Sequence, residues 1–330
     1  MSNVNAEIIK DSINPSGVRI ATFVLTYPRF IHSEILTHRA LSRNAASSRA
    51  IPFARMLDMV QNETAVPELW GRNKSGMQSE GELDSDEREI ALRIWKSGMR
   101  EAVTTSERLS ELGLHKQIAN RPLEPYLRYK ALFTATDWDN FFSLRAHKDA
   151  QPEFQVLAYR MLNAYLTSVP KEKGWCDWHI PFEDNMPPDL LDNEKKIKVA
   201  IARCARISYM NFEGSMDVDK DLKLYSNLME QAPLHASPAE HVAFADDDLL
   251  ALRHEVKCDS RVNLYPRNEA LLEWGSEAVG DMLPTGISER GNLQGNFHGW
   301  TQHRKLCPSE NVVTADLQAI MDGKPDWITL

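Results

Sequence analysis

The chain has 330 residues, 42% of them hydrophobic, enough to bury the core of one large domain or two ordinary ones. A formal net charge of -9 argues against binding to polymeric nucleic acid, which Lys and Arg drive by neutralising phosphates, but a local basic pocket for a small phosphorylated ligand remains compatible with it. Cys176, Cys204, Cys258 and Cys307 form no CxxC pair, and neither a leader sequence nor a membrane-length apolar run is present, so the expectation is a reduced, cytoplasmic protein without a metal site.

In chain order, VRIATFVLTYP (18–28) sets Val18, Ile20, Thr22 and Val24 on one face and Ala21, Phe23 and Leu25 on the other, which predicts a strand ending at Pro28. RFIHSEILTHRALSRN (29–44) carries Phe30, Ile31, Ile35 and Leu41 among helix formers without Gly or Pro. It predicts a helix that gives way to a turn around Ala45 to Arg49. Residues 67–84 mix Gly, Ser and charge and predict a loop. A long helix should follow, opened by the capping-box spacing of Asp86 and Glu89 within the charged run DSDERE, lined by Ile90, Ile94, Val103 and Leu109, and closed at Gly113.

Further along, Phe154, Leu157, Met161 and Tyr165 share a face of a second helix starting near Glu153. A segment rich in Pro, Trp and Asp then predicts a linker over 171–195, dividing a lobe 1–170 from a lobe 196–330. Trp175, Trp178 and His179 within it are read as packing. KVAIARCARISY is a strand or the buried start of a helix, and Leu222, Tyr225, Leu228 and Met229 mark an amphipathic helix. His241 and His254 lack metal-ligand spacing and are read as capping or solvated residues. The alternation of strands and long helices indicates α+β architecture.

The stretch LTHRALSRNAASSRAIP (36–52) gathers Arg39, Arg43 and Arg49 with Ser42, Ser47 and Ser48. Guanidinium forks bind phosphate oxygens in pairs, so a turn built from these residues can cradle a phosphate; the plain alternative is a helix end with solvated arginines. Its spacing resembles the RHRxxSxNxxSxR signature of flavin-dependent thymidylate synthases, with His38, Arg39, Ser42, Asn44, Ser47 and Arg49 in register and Thr37 in place of the first Arg. TATDWDNFFSLRAHKDAQPEFQ (134–155) is similar to a later helix pair of that family through Asn140, Phe141, Leu144, Arg145, Ala150, Gln151 and Glu153. Without the family, Arg145 reads as a surface arginine paired with Asp139 or Asp149.

A third block, from ARISY to HASPAEHVAF (205–244), resembles a segment that ordinary members carry ahead of the arginine signature, so the order looks permuted. GWTQHRKLCPSEN (299–311) can further be laid on QWxRHRxxSxNE through Trp300, His303, Arg304 and Glu310, with Gln302 where the first Arg should be. This suggests an internal duplication of the motif-bearing core, the alternative being a structural C-terminal helix.

The resemblance implies the family's α+β fold and its chemistry: C5 methylation of dUMP to dTMP with methylenetetrahydrofolate as carbon donor, reduced FAD as hydride carrier and NADPH as reductant. It assigns His38, Arg39, Asn44, Arg145, His235, Ser237, Glu240, His303 and Arg304 to the flavin. Glu34, Ser47, Ser48, Arg49, Gln155, Gln302 and Glu310 fall to the nucleotide, with Gln155, Arg39 and His38 nearest the reaction. Gln155 replaces a family Arg that faces the pyrimidine, Thr37 removes a positive charge, Glu34 replaces a Gln and Ala45 replaces a Glu. Either Arg304 and Glu310 restore the missing groups, or the base differs. A neutral amide could suit cytosine, giving methylation or hydroxymethylation of dCMP or dUMP. A non-catalytic nucleotide- or flavin-binding homologue is the reading from another class. Family members assemble into homo-oligomers, so a dimer or tetramer is expected.

Overall fold

The residues that alternate in the sequence at 18–28 are buried on both faces of a strand, which is the key to the architecture. In the computed structural model, which describes residues 4–209, 217–230, 234–245, 293–307 and 310, β1 (Asn5–Ile13) turns at Gly17 into β2 (Arg19–Pro28) as an antiparallel hairpin. Gly17 has φ +80°, a conformation that glycine adopts without a Cβ penalty.

The predicted helix over 29–44 is much shorter than expected. A single 3-10 turn leads into α1 (His32–Ile35), after which the chain turns through 37–41 and becomes β3 (Ser42–Ala45). Local propensity lost to pairing, because β3 bonds along the edge of a strand that the sequence reading did not identify. α2 (Phe53–Asn62) follows, and then an exposed hairpin of β4 (Gly71–Arg72) and β5 (Glu80–Glu82) within the expected loop.

α3 (Ser85–Glu111) is the predicted long helix, but its capping box is Asp84 with Glu87, not Asp86 with Glu89. The Asp84 carboxylate accepts from the Asp86 and Glu87 amides, and Glu87 accepts from the Asp84 amide. Ile90 and Ile94 are exposed, and the buried face begins at Met99 and Val103. After α4 (Lys116–Ala119) comes the unexpected strand, β6 (Arg128–Ala135). α5 (Asp139–Arg145) and α6 (Pro152–Thr167) complete this half. Pro152 starts α6 where its missing N–H costs nothing, and Phe154, Leu157, Ala158 and Met161 form its buried stripe.

The segment read as a linker supplies two short strands. β7 (Lys171–Glu172) adds in parallel to β1, and β8 (Trp178–His179) joins the second sheet. KVAIARCAR lies on α7 (Asn193–Arg206), and α8 (Val218–Met229) is the expected amphipathic helix. β9 (Ala243–Ala245) and β10 (Trp300–Gln302) pair antiparallel, and a short helix His303–Leu306 follows.

The result is an α+β molecule with a five-stranded sheet in the order β3-β6-β2-β1-β7 and a three-stranded sheet β10-β9-β8. One face of the large sheet, with Phe23, Leu25, Ala131 and Phe133, packs on α6 and its neighbours. The opposite face, with Val24 and Leu132, meets Cys204 and Ile207 at the end of α7. A sheet covered on both faces explains why β2 carries apolar residues at almost every position. Among the described residues no helix is long and apolar enough to cross a membrane.

Candidate functional site

β3 lies at an edge of the large sheet, and that placement exposes the residues around it. Its backbone pairs with β6 on one side only, so Arg39 and Leu41 in the preceding turn and Arg43 on the strand line an open cavity of about 400 Å³. Glu240, from the 3-10 turn Ser237–His241, and Asn296 line the same cavity. The structure therefore brings the 36–52 stretch and HASPAEH together from distant parts of the sequence. Arg39 is exposed and makes no hydrogen bond or ion pair among the described residues; Arg43 donates to the His38 carbonyl at 3.2 Å.

Glu240 is held from behind. Arg304 donates to it through Nη1 and to Glu310 through Nε at 2.8 Å, and Lys305 Nζ lies 2.7 Å from the other Glu310 oxygen. Burial acts to lower the Arg304 pKa, but hydrogen bonds to Glu310 and Glu240 outweigh it and the pKa rises. Asn296 and Gln302 fasten the C-terminal arm to the signature. Ser42 Oγ donates to Asn296 Oδ1 at 3.0 Å, and Gln302 Nε2 donates to Ser42 Oγ at 3.2 Å and to Asn296 Oδ1 at 2.5 Å. Gly299 permits the docking: a Cβ there would stand 2.7 Å from Asn14 Nδ2 and 3.2 Å from Val18, and its φ is +64°.

His38 and Arg145, both assigned to the flavin by the resemblance, meet each other. Arg145 Nε donates to His38 Nε2 at 2.8 Å, and its guanidinium stacks 4.5 Å from the Phe154 ring centroid. Burial, then the neighbouring Arg145 charge, lower the His38 pKa to about 4, so the imidazole is neutral at pH 7. Neither Asp139 nor Asp149 holds Arg145.

The turn 47–51 is built on a separate support. Ala50 and Ile51 amides donate to the Ser47 carbonyl, while buried Asn120 donates through Nδ2 to the carbonyls of Ser48 at 2.7 Å and Ile51 at 3.0 Å, and Lys116 reaches the Ala50 carbonyl. Arg49 stands exposed on it with no partner among the described residues. Ser48, in contrast, is buried with its hydroxyl donating to Glu124. Asn44 is buried on β3 with its Nδ2 unpartnered among the described residues.

Behind Glu240 runs a chain of five fully buried side chains from both halves of the molecule. His179 bonds Ser12 Oγ through Nδ1 at 3.0 Å and Thr22 Oγ1 through Nε2 at 2.8 Å; Thr22 bonds Thr134 at 2.7 Å, and Thr134 bonds His241 Nδ1 at 2.8 Å. His241 Nε2 has no partner among the described residues. Desolvation lowers the His241 pKa to about 3 and pushes that of His179 well below its usual value, so both rings are neutral. His241 is thus a buried bridging residue rather than the capping or solvated one expected; Thr22 and Thr134 on the sheet face supply the partner that its sequence neighbours lack. His254 and Cys258 lie outside the described residues.

Other predicted residues fall elsewhere. Gln155 donates to the His147 carbonyl at 2.7 Å and lines a different cavity with Tyr159, Arg160 and Asn163. His235 is exposed just before the turn that carries Glu240, and Ser237 is exposed at its first position. Glu34 is half-buried on α1, and its carbonyl accepts from the Thr37 hydroxyl at 2.7 Å. His303 is buried against Trp178, with ring centroids 5.9 Å apart. The two His-Arg segments also differ in backbone, since 37–41 is a series of turns whereas 300–306 is a strand running into a helix. Leu41, Arg43 and Asn296 are the lining residues that family spacing does not mark. Arg43 sits on a variable position of the signature, and Asn296 falls in no motif.

No curated protein matches the chain. Two solved structures similar to it are of the UMP/dUMP methylase PolB from Streptomyces cacaoi. The one bound with 5-Br dUMP is 18% identical, with a TM-score of 0.43, covering 50% of this chain and 90% of that one. The one bound with 5-Br UMP is 19% identical, with a TM-score of 0.42, covering 50% and 89%. Residues 18–171 match a family model described as thymidylate synthase complementing protein, a span that begins at β2 and takes in Arg39, Arg43, Arg49, Arg145 and Gln155. Over that span, just under half of its length, the chain is similar to the family of flavin-dependent thymidylate synthases.

Proposed function

We propose that the protein methylates C5 of a deoxypyrimidine 5′-monophosphate, converting dUMP to dTMP, with methylenetetrahydrofolate as carbon donor, FAD as bound cofactor and NADPH as its reductant. The observation that carries this reading is the meeting of Arg39 and Glu240 at one cavity in a chain whose residues 18–171 match the family. When bound, the flavin supplies the hydride that completes the methyl group. The donor set suits such a group: Arg39 and Arg43 offer forks to phosphate oxygens, Glu240 offers an acceptor to a hydroxyl or ring N–H, and Asn44 has an unused buried N–H. A cavity of about 400 Å³ is within the range of small-molecule sites and accommodates part of a dinucleotide.

The exposed Arg49 and the half-buried Ser47, on a turn braced by Asn120, are the residues to hold the nucleotide phosphate. Neutral His38, whose Nε2 accepts from Arg145, keeps an Nδ1–H to donate without bringing a charge. Covalent attack by a thiol is not part of this reading. Burial raises the Cys307 pKa to about 12 and pushes that of Cys204 higher still, so neither is an activated nucleophile. Uracil is taken as the base, because the cytosine alternative relied on Gln155, which lines another cavity of this chain.

Incubation with labelled methylenetetrahydrofolate, NADPH and FAD against dUMP and dCMP in parallel, with products resolved by mass, tests the proposal. Label in dTMP is the expected result. Label only in a dCMP product would reassign the base. A colourless protein that binds nucleotide, takes up no added FAD and makes no product would be a non-catalytic homologue. Arg49→Ala should weaken nucleotide binding far more than flavin binding; equal losses would give Arg49 to another ligand.

A further inference from the structure

The cavity's charges are arranged in an unusual order. Three of its five lining side chains are ionic, and the acid and the two arginines do not pair with one another. Glu240 turns its carboxylate to Arg304, which Glu310 grips at 2.8 Å, and Glu310 is itself almost fully buried and held by Lys305. Glu240, Arg304, Glu310 and Lys305 thus form a cluster of two negative and two positive charges that is neutral in itself. Arg39 and Arg43 are left with their charges uncompensated among the described residues, and Arg43 spends one N–H on a backbone carbonyl.

We propose that Arg304 is a positioning residue whose work is to keep Glu240 occupied, so that Arg39 and Arg43 stay available for an anionic group, phosphate or pyrophosphate, of the ligand. This departs from the family resemblance, which sets Arg304 itself on the cofactor, and it rests on the reading that the cavity takes an anionic ligand. The physical logic is competition. A carboxylate within a small cavity that also holds two guanidinium groups is a built-in rival for any phosphate, because it offers the same planar pair of acceptor oxygens to the same forks. Tying that carboxylate to a third arginine, braced by a buried second acid, removes the rival while keeping one Glu240 oxygen to accept a hydrogen bond. Arg43, which lies between the fixed positions of the signature, then becomes a specificity-determining residue of the cavity.

The test is a charge cycle read by calorimetric titration of the full-length protein with inorganic pyrophosphate at fixed ionic strength, independent of flavin and of turnover. Arg39→Gln and Arg43→Gln should each weaken binding roughly fivefold to tenfold. Arg304→Gln should weaken it about fivefold by freeing Glu240 to pair with the cavity arginines. Glu240→Gln should bind at least as tightly as the wild type, and the double variant Arg304→Gln with Glu240→Gln should recover to within about twofold of Glu240→Gln. Arg304→Lys, which keeps the charge on Glu240, should bind within about twofold of wild type. The proposal falls if wild type does not bind pyrophosphate, if Arg304→Gln binds as wild type does, or if the double variant stays as weak as Arg304→Gln. The last result would make Arg304 a direct ligand contact. Pyrophosphate binding without methylated product would defeat the proposed activity and leave this inference standing.

Discussion

The buried chain from Ser12 to His241 and the arginine-lined rim at Arg39 and Arg43 are neighbours built on opposite principles. In the buried chain each hydroxyl and, among the described residues, all but one ring nitrogen has a partner, no side chain is charged, and every residue is sealed from water. At the rim the groups are permanently charged, exposed or half-exposed, and two of the three arginines of the stretch have no partner among the described residues. The contrast teaches where stability and function reside. Polar groups that must endure desolvation are satisfied within the fold, whereas those proposed to meet a ligand are left in contact with water, where an unpaired charge costs little.

The sharpest way to break this comparison is to damage the buried chain. Thr134→Val removes the hydroxyl that bonds both Thr22 and His241, leaving Thr22 with His179 but stranding the His241 Nδ1, and should destabilise the protein by about 2–3 kcal/mol in urea denaturation. A loss under about 1 kcal/mol would mean that the chain contributes little. Acid should act on the same elements. His179, His241 and His303 are fully buried with lowered pKa values, so the unfolded state binds more protons below about pH 6.5. Stability should therefore be complete above that pH and decline as pH falls, by about 1.4 kcal/mol per unit for each histidine, toward pH 4 for His303 and pH 3 for His241. Flat stability from pH 7 to pH 4 would refute it.

Docking of the C-terminal arm should be of intermediate sensitivity. Gly299→Ala meets Asn14 and Val18 in a left-handed backbone and should cost roughly 1–3 kcal/mol while lowering ligand affinity, because Gln302 and Arg304 follow it on the same arm. Deleting the helix cap with Asp84→Ala, remote from the cavity, should cost about 1 kcal/mol and leave ligand binding unchanged. The smallest effect on stability belongs to the rim: Arg39→Gln should shift it by less than about 0.5 kcal/mol, measured in the same urea titration that exposes Thr134→Val.

Much of this contrast can be read from the chain, but not evenly. β2 was legible because a strand covered on both faces leaves a clear alternating pattern, and α6 because Pro152 and a Phe154–Leu157–Met161 stripe announce it. The signature and HASPAEH were legible through spacing. β6 was not recognised, although Tyr129, Ala131 and Phe133 alternate, and without it 42–45 reads as the end of a helix. The Arg304–Glu240 pair and the Ser12–His241 chain join residues 64 and more positions apart, whose meeting depends on the two sheets docking. No local pattern encodes that. Gln155 shows the reverse limit: spacing matched it to a family position, while its own helix turns it toward His147.

The antiparallel partnership of Ala245 with Trp300 carries a further implication. Because those two residues are cross-strand neighbours, the polypeptide that departs at one returns at the other, and the ends of that excursion are clamped whatever its length. The register that delivers Gln302 to Ser42 is therefore set at the strand pair itself, and a substitution that broke the pairing of Trp300 with Ala245 would unseat Gln302 two positions further on.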